Sequence, residues 1–304
     1  MDTTAHEIFL PARDYDLSAT LDSGQVFRWR RVDDAWQGVI GNHAVRLTQE
    51  AEGIRASTAG PVENWDWLRH FLQIHVDLAA VLKTFPNDEP MRNAVTACRG
   101  LRLLRQEPWE CLASFILSST KQIVQIRQII GHLSDRFGEA IPGWGVGADC
   151  RAFPTARKIA GLSEAELRNC KMGFRAPSLL MAARQIADGG FDLGKIRRLD
   201  YAAARAELMK LRGVGGKIAD CVLLFAYGFD GAFPVDVWVE RALQALYFPR
   251  RRAGEKRLRH FAATHFGPHG GYAQQYLFHY MRRARPPLPG AVQMKNSSAA
   301  DGHR

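Results

Sequence analysis

Cysteine is scarce in this chain, acidic residues nearly vanish towards its C-terminal end, and long hydrophobic runs are missing. The five cysteines (Cys98, Cys111, Cys150, Cys170, Cys221) are odd in number and none form a C-x-x-C pair. That argues against a disulfide framework and against the ligand spacing of zinc or iron–sulfur sites, so the thiols are expected as small buried hydrophobes. Four histidines lie near the end (His260, His265, His269, His279), but Gly267, Pro268 and Gly270 break any helix between His265 and His269. The pair therefore shares no helical face, and neither a metal site nor a cofactor is expected. No uncharged apolar stretch reaches the ~18 residues that suggest a membrane-spanning helix. Met1–Ala12 has neither a basic start nor an apolar core, so no secretory leader is expected and the chain reads as intracellular, cytoplasmic or nucleoid in a bacterium and nuclear in a eukaryote. No internal repeat is found.

What is present is enough for folded cores: 304 residues, 46% hydrophobic and 10% aromatic, or about two domains at ~150 residues each. The net charge of +10 is unevenly spread. Residues 1–100 hold 10 basic and 14 acidic side chains, residues 101–240 hold 19 and 15, and the last 64 hold 12 and 2. A basic C-terminal third points to a polyanion, most often nucleic acid; a solubilising surface is the plain alternative.

Along the chain the hydrophobic period changes once. Residues 1–60 read as β, with Val26–Trp29, Trp36–Ile40 and Ala44–Thr48 as strands between the turn-formers Asp22-Ser23-Gly24, Asp33-Asp34 and Gly41-Asn42. From Trp65 the spacing is helical (Leu68, Phe71, Leu72), and residues 108–285 read as a succession of amphipathic helices broken by Gly and Pro. The expected fold is α+β by segregation: an N-terminal antiparallel β-sheet domain over 1–95, an all-helical body over 96–285, and a disordered basic tail over 286–304.

The most informative segment is Ala202–Ala245. A helix over Ala202–Leu211 ends at Gly213-Val214-Gly215-Gly216, and a second opens at Lys217 with Ile218, Cys221, Val222, Leu224 and Phe225 on its apolar side. This is a helix–hairpin–helix. Its glycines allow φ > 0 and close approach of a ligand, Val214 plugs the turn into the core, and the free N–H groups of the second helix suit a phosphate of a nucleic acid backbone. An ordinary glycine-capped helical turn is the simpler reading. Nineteen residues after Lys217, Asp236 follows the loop Gly228–Pro234 and precedes a helix over Val237–Leu246, where a carboxylate caps free N–H groups. An amine at one helix start and a carboxylate at the next also form a catalytic layout.

These residues carry a resemblance. Pro108-Trp109-Glu110-Cys111-Leu112, Leu211–Asp220 and Val235-Asp236-Val237 are similar to the helix–hairpin–helix DNA glycosylases, and Ser23-Gly24-Gln25-Val26-Phe27-Arg28-Trp29 with Ala273–Phe278 to their 8-oxoguanine DNA glycosylase/AP lyase branch. The similarity spans roughly Leu21 to Arg283. The endonuclease-III-type branch is disfavoured by the missing four-cysteine cluster. The resemblance implies a double-stranded DNA partner containing a damaged purine, a monomer, and Lys217 attacking C1′ to expel the base, after which a Schiff base undergoes β-elimination. Such attack needs a neutral amine, and a helix N-terminus disfavours an ammonium. Asp236 would stabilise the developing sugar cation. Gly24, Gln274, Phe278 and Cys221 would form the pocket for a base extruded from the stack. Gly213, Val214, Gly215 and Trp238 would meet DNA phosphates, Trp238 standing where a histidine is common. Phe174 and Arg175 would act as wedge and opposite-base contact.

The pattern is broken where the family carries three asparagines: here Thr120-Lys121-Gln122 follow Phe115–Ser119, and Gln125 replaces an expected arginine. The expectation is a retained flipping pocket with weaker discrimination of the base opposite the lesion. The arginines of 250–259 and 282–285 are expected to track phosphates. Two other readings stay open, a monofunctional alkylbase glycosylase and a non-catalytic DNA-binding module; Lys217 is needed by neither.

Overall fold

Five strands open the chain and pair only with antiparallel neighbours. The computed structural model describes residues 6–119, 122–144, 149–250 and 252–284. β1 (His6–Pro11), β2 (Arg30–Val32), β3 (Ala35–Ile40), β4 (His43–Glu50) and β5 (Gly53–Thr58) form one sheet in the order β1-β5-β4-β3-β2. The turn-formers do what the sequence asks: Val32 pairs with Ala35 across Asp33-Asp34, and Ile40 with His43 across Gly41-Asn42. Alternation then places Val45 and Leu47 of β4 and Ile54 and Ala56 of β5 in the core beneath the sheet.

Two departures from the expected β region have clear causes. Leu17–Asp22 is a helix, α1, because Asp16 caps it through the Ala19 N–H at 2.7 Å. Val26–Trp29 is not a strand. The residue just before it, Gln25, is committed to the strip that follows residue 101: Gln106 Nε2 donates to the Gln25 carbonyl at 2.7 Å, while Gln25 Oε1 accepts from Leu104 N at 2.7 Å and its Nε2 donates to the Arg102 carbonyl at 2.8 Å. The segment is aromatic because it is buried between two cores, Val26 and Trp29 facing the sheet and Phe27 the helices.

The helical body follows as α2 (Asp66–Leu72), α3 (Leu78–Leu82), α4 (Glu89–Ala97), α5 (Pro108–Ser118), α6 (Ile123–Phe137), α7 (Ala156–Ala160), α8 (Glu164–Arg168), α9 (Ala176–Ala187), α10 (Tyr201–Leu208), α11 (Gly216–Val222), α12 (Val237–Tyr247), α13 (Glu255–His265) and α14 (Gly270–Ala284). A short hairpin, β6 (Ala140–Pro142) with β7 (Asp149–Arg151), interrupts the helices. Residue 95 lies inside α4, whose Met91 and Ala94 pack into the helical core, whereas Leu104 packs into the sheet core. The chain thus crosses between its two cores more than once, which ties the sheet rigidly to the helices. The tail expected over 286–304 lies outside the described residues.

Candidate active site

The connection between α10 and α11 is longer than the sequence suggests. α10 begins at Tyr201 and ends at Leu208, not Leu211, and only Gly213 among the hairpin glycines takes a positive φ (+83°). A Cβ there would come within 2.5 Å of Ser178 Oγ. Gly215 is extended (φ −93°) and caps α11, and a Cβ on it would meet nothing within 4 Å. Its role is to leave open space in front of the helix start. Val214 is buried, as its plug role requires, while Gly213 and Gly215 are exposed.

Lys217 stands in the first turn of α11 with its Nζ donating to Ser118 Oγ at 3.3 Å and lying 5.5 Å from the Phe115 ring centroid. Ser118 Oγ in turn donates to the Phe115 carbonyl at 2.8 Å, so it faces the amine with lone pairs. Asp236 is the N-cap of α12: Oδ1 accepts from Val239 N at 2.8 Å, which leaves Oδ2 free of the cap. Both side chains line one cleft of about 450 Å³, together with Gly24, Phe27, Cys221, Trp238, Gln274 and Phe278.

The α14 wall is fixed from behind. Gln274 is 4% exposed, and its Oε1 is buried without a hydrogen-bond partner. Gln275 Nε2 donates to the Ser23 carbonyl at 3.0 Å, and Arg282 Nη1 donates to the Asp22 carbonyl at 3.3 Å while its guanidinium lies 5.4 Å from the Phe278 ring. Those contacts clamp the turn carrying Gly24, whose φ of +85° and neighbours (Ile123 Cδ1 2.9 Å from a would-be Cβ, Phe278 Cε1 3.3 Å) admit only glycine. Arg282 therefore braces the pocket through Nη1 and the Phe278 ring. Burial pushes the Cys221 thiol up to about 12 against the opposing pull of Lys217, so it stays a neutral wall beside the amine. Next to Phe278, His279 is 2% exposed, and burial, reinforced by Arg283 and Arg282, lowers it to about 4.

The residues expected to meet the opposite strand lie elsewhere. Phe174 is 60% exposed on the 3-10 turn Gly173–Arg175, its ring under the Arg175 guanidinium at 4.6 Å. Gln125 is exposed on α6 and spends its Oε1 on the Gln122 N–H at 3.1 Å, closing a capping box. Neither lines the cleft. Thr120, Lys121, Arg251 and Arg285 lie outside the described residues. Sequence reasoning missed Ser118 and the bracing roles of Gln275 and Arg282. The position of Arg282 four residues after Phe278 on one helix was the available signal.

Residues 7–112 match the family described as 8-oxoguanine DNA glycosylase, N-terminal domain, and residues 113–266 match the HhH-GPD superfamily of base excision DNA repair proteins. The chain is 30% identical over 311 residues to a probable N-glycosylase/DNA lyase of Methanothermobacter thermautotrophicus, covering 90% of this chain and 96% of that protein. It is also 30% identical over 283 residues to the N-glycosylase/DNA lyase OGG1 of Arabidopsis thaliana (86% and 76%). Among solved structures, the Clostridium acetobutylicum 8-oxoguanine glycosylase/lyase, in complex with double-stranded DNA containing cytosine opposite 8-oxoG, superposes with a TM-score of 0.85 at 30% identity, covering 94% of this chain and all of that one.

Proposed function

Because the chain belongs to the HhH-GPD superfamily of base excision DNA repair proteins and carries the 8-oxoguanine DNA glycosylase N-terminal domain ahead of that region, we propose that it excises 8-oxoguanine from duplex DNA and then nicks the strand at the vacated sugar. Lys217 Nζ, held as a donor to Ser118 Oγ, attacks C1′ of the extruded nucleotide as the bond from C1′ to the base nitrogen breaks. The Asp236 carboxylate, half-buried and with one oxygen outside the helix cap, offsets the positive charge that builds on the sugar. Opening of the sugar ring gives a Schiff base on Lys217. Loss of a C2′ proton then expels the 3′ phosphate by β-elimination, and hydrolysis frees the amine.

The observation that carries this reading is the orphaned Gln274 Oε1, in the same cleft as Lys217 and Asp236. A buried acceptor without a donor costs about 1–3 kcal/mol, and the Watson–Crick edge of a purine supplies the missing N–H. Phe278, half-buried and braced by Arg282, offers a face for the base to stack on. The Gly24 carbonyl is the acceptor for N7–H, a proton that 8-oxoguanine has and guanine lacks. Exposed Gly213 and Gly215, and Trp238 at the mouth, receive the DNA backbone, and the residues that carry this chemistry all come from one chain, which a monomer would need.

Borohydride trapping on a duplex with 8-oxoguanine opposite cytosine tests the assignment. The unmodified protein is expected to form a covalent adduct and a nicked strand, and Lys217→Gln neither, while still binding the duplex. Trapping by the Lys217→Gln protein would overturn it, and abasic sites without nicks from the unmodified protein would favour the monofunctional reading.

A further inference from the structure

A second cleft, of about 420 Å³, opens behind the first where β2, β3, the second half of α6 and β7 meet, and Phe27 lines both. Its walls hold Arg28, Arg30, Arg127, Arg151, Ser134 and Trp144. Three buried polar atoms there have no hydrogen-bond partner: Ser134 Oγ, Arg28 Nη1 and Arg127 Nε. All three can donate. Ser134 is 3% exposed, whereas Arg28 is already engaged, its Nη1 3.5 Å from Glu110 Oε2 in an ion pair and its Nη2 donating to the Arg151 carbonyl. Arg127 reaches Asp22 through Nη2 at 2.8 Å, which leaves Nε unused.

Ser134 and Arg127 line this cavity and each keeps an unused buried donor behind its surface, so the lining is poor in acceptors and suits an acceptor-rich guest. The rim adds charge. Arg30 and Arg151 are exposed and form no ion pair with a carboxylate among the described residues, and Asp135 is the one carboxylate lining the cleft. The half-buried Trp144, which packs with Val39 against the cluster of Ala44 and Ile141, adds an aromatic side chain to the lining. Arginine forks suit phosphate oxygens, and an indole face suits a planar ring. The volume lies in the range of small-ligand sites.

We propose that this second cleft binds a nucleotide-class anion, its phosphate on the exposed Arg30 and Arg151 and its ring against Trp144. The site is independent of the excision chemistry and does not rest on the function proposed above. Calorimetric titration of the full chain with deoxyadenosine 5′-monophosphate, which has no oxidised base, tests it. Saturable one-to-one binding is expected, weakened about tenfold or more in an Arg30→Glu/Arg151→Glu variant and unchanged in Phe278→Ala, which removes the stacking ring of the lesion cleft. Inorganic phosphate and deoxyadenosine are each expected to bind more weakly than the nucleotide. Displacement by an undamaged single-stranded oligonucleotide would identify the guest as a nucleotide within a strand; persistence of the signal would identify it as free nucleotide. Absence of saturable binding at millimolar nucleotide would overturn the proposal. So would binding that is lost in Phe278→Ala and kept in the arginine variant. Strand nicking by the arginine variant, measured alongside, reports that it is folded and keeps the two sites separable.

Discussion

The lesion side and the opposite-strand side of this molecule are built on different terms. Around Lys217 and Asp236, each functional group is held by a second one: Gly24 by Gln275 and Arg282, Phe278 by Arg282, Lys217 by Ser118. On the other side Phe174 stands 60% exposed, and Gln125 is occupied with the cap of its own helix. Chemistry on an extruded base needs a dry, preorganised cavity before DNA arrives. Reading the base left behind needs only side chains that order themselves against the duplex. On the proposed assignment of these residues, the difference teaches that the lesion pocket is preorganised in the free protein, while Phe174 and Gln125 are not held in place for reading a base.

The strongest way to break that contrast is at the reacting groups. Lys217→Gln is expected to lower strand nicking by about 10⁴-fold or more, since the nucleophile has no neighbour to replace it: Cys221 is held as a neutral thiol. Asp236→Asn comes next. Asparagine still accepts from Val239 N, so thermal stability should move by less than about 0.5 kcal/mol, while base excision falls by about 10²–10³-fold from the lost charge. Asp236→Ala would lose the cap as well, costing about 1 kcal/mol more stability. Single-turnover rates beside melting curves for the two variants separate the roles, and equal rate losses with unequal stability losses are the expected pattern.

The dryness of the α14 wall can be read from pH. Burial holds His279 near 4 instead of the ordinary 6.5, so the folded state resists a proton that the unfolded chain accepts. Stability from this residue is complete above about pH 6.5 and is lost as pH falls towards 4, by up to about 3 kcal/mol. Asp22 and Asp16 pull in the other direction but are outweighed. Denaturant melts between pH 7 and 4 should show this slope, and His279→Leu should flatten it. A smaller effect is expected from Gln274→Ala, about ten- to a hundredfold in kcat/KM on 8-oxoguanine. If that variant cut all substrates as fast as before, the orphaned Oε1 would have no part in recognition.

Most of the fold and the heart of the site were legible because they follow local rules. Asp33-Asp34 and Gly41-Asn42 mark their hairpins, the Gly-Val-Gly turn marks its helix start, and Asp236 caps α12. What the sequence hid depends on distant partners. Val26–Trp29 has the composition of a strand, yet the carbonyl of Gln25 just before it accepts from Gln106 across the chain and its own side chains are divided between two cores, and nothing local announces that. Arg282 sits in a basic run that looks made for phosphate, and only the packed structure turns it towards Asp22 and Phe278. The β6–β7 hairpin is three residues a side, too short for a period to register.

The smallest expected effect is also the one that bears most directly on the contrast between the two sides. If the opposite-strand side is assembled only on DNA, and Gln125 is diverted to its cap, then little among the described residues favours cytosine over its rivals. Excision measured on four duplexes, with C, A, G or T opposite 8-oxoguanine, should span less than about tenfold, or about 1.4 kcal/mol. Phe174→Ala should slow all four by a similar factor, because an exposed ring that fills the vacated stack acts before any base is read. A ratio of a hundredfold or more in favour of cytosine would mean that the opposite-strand side is as specific as the lesion side, with the reading done by groups other than Gln125. A Phe174→Ala effect confined to one duplex would mean that this ring reads the orphaned base and does not merely hold its place.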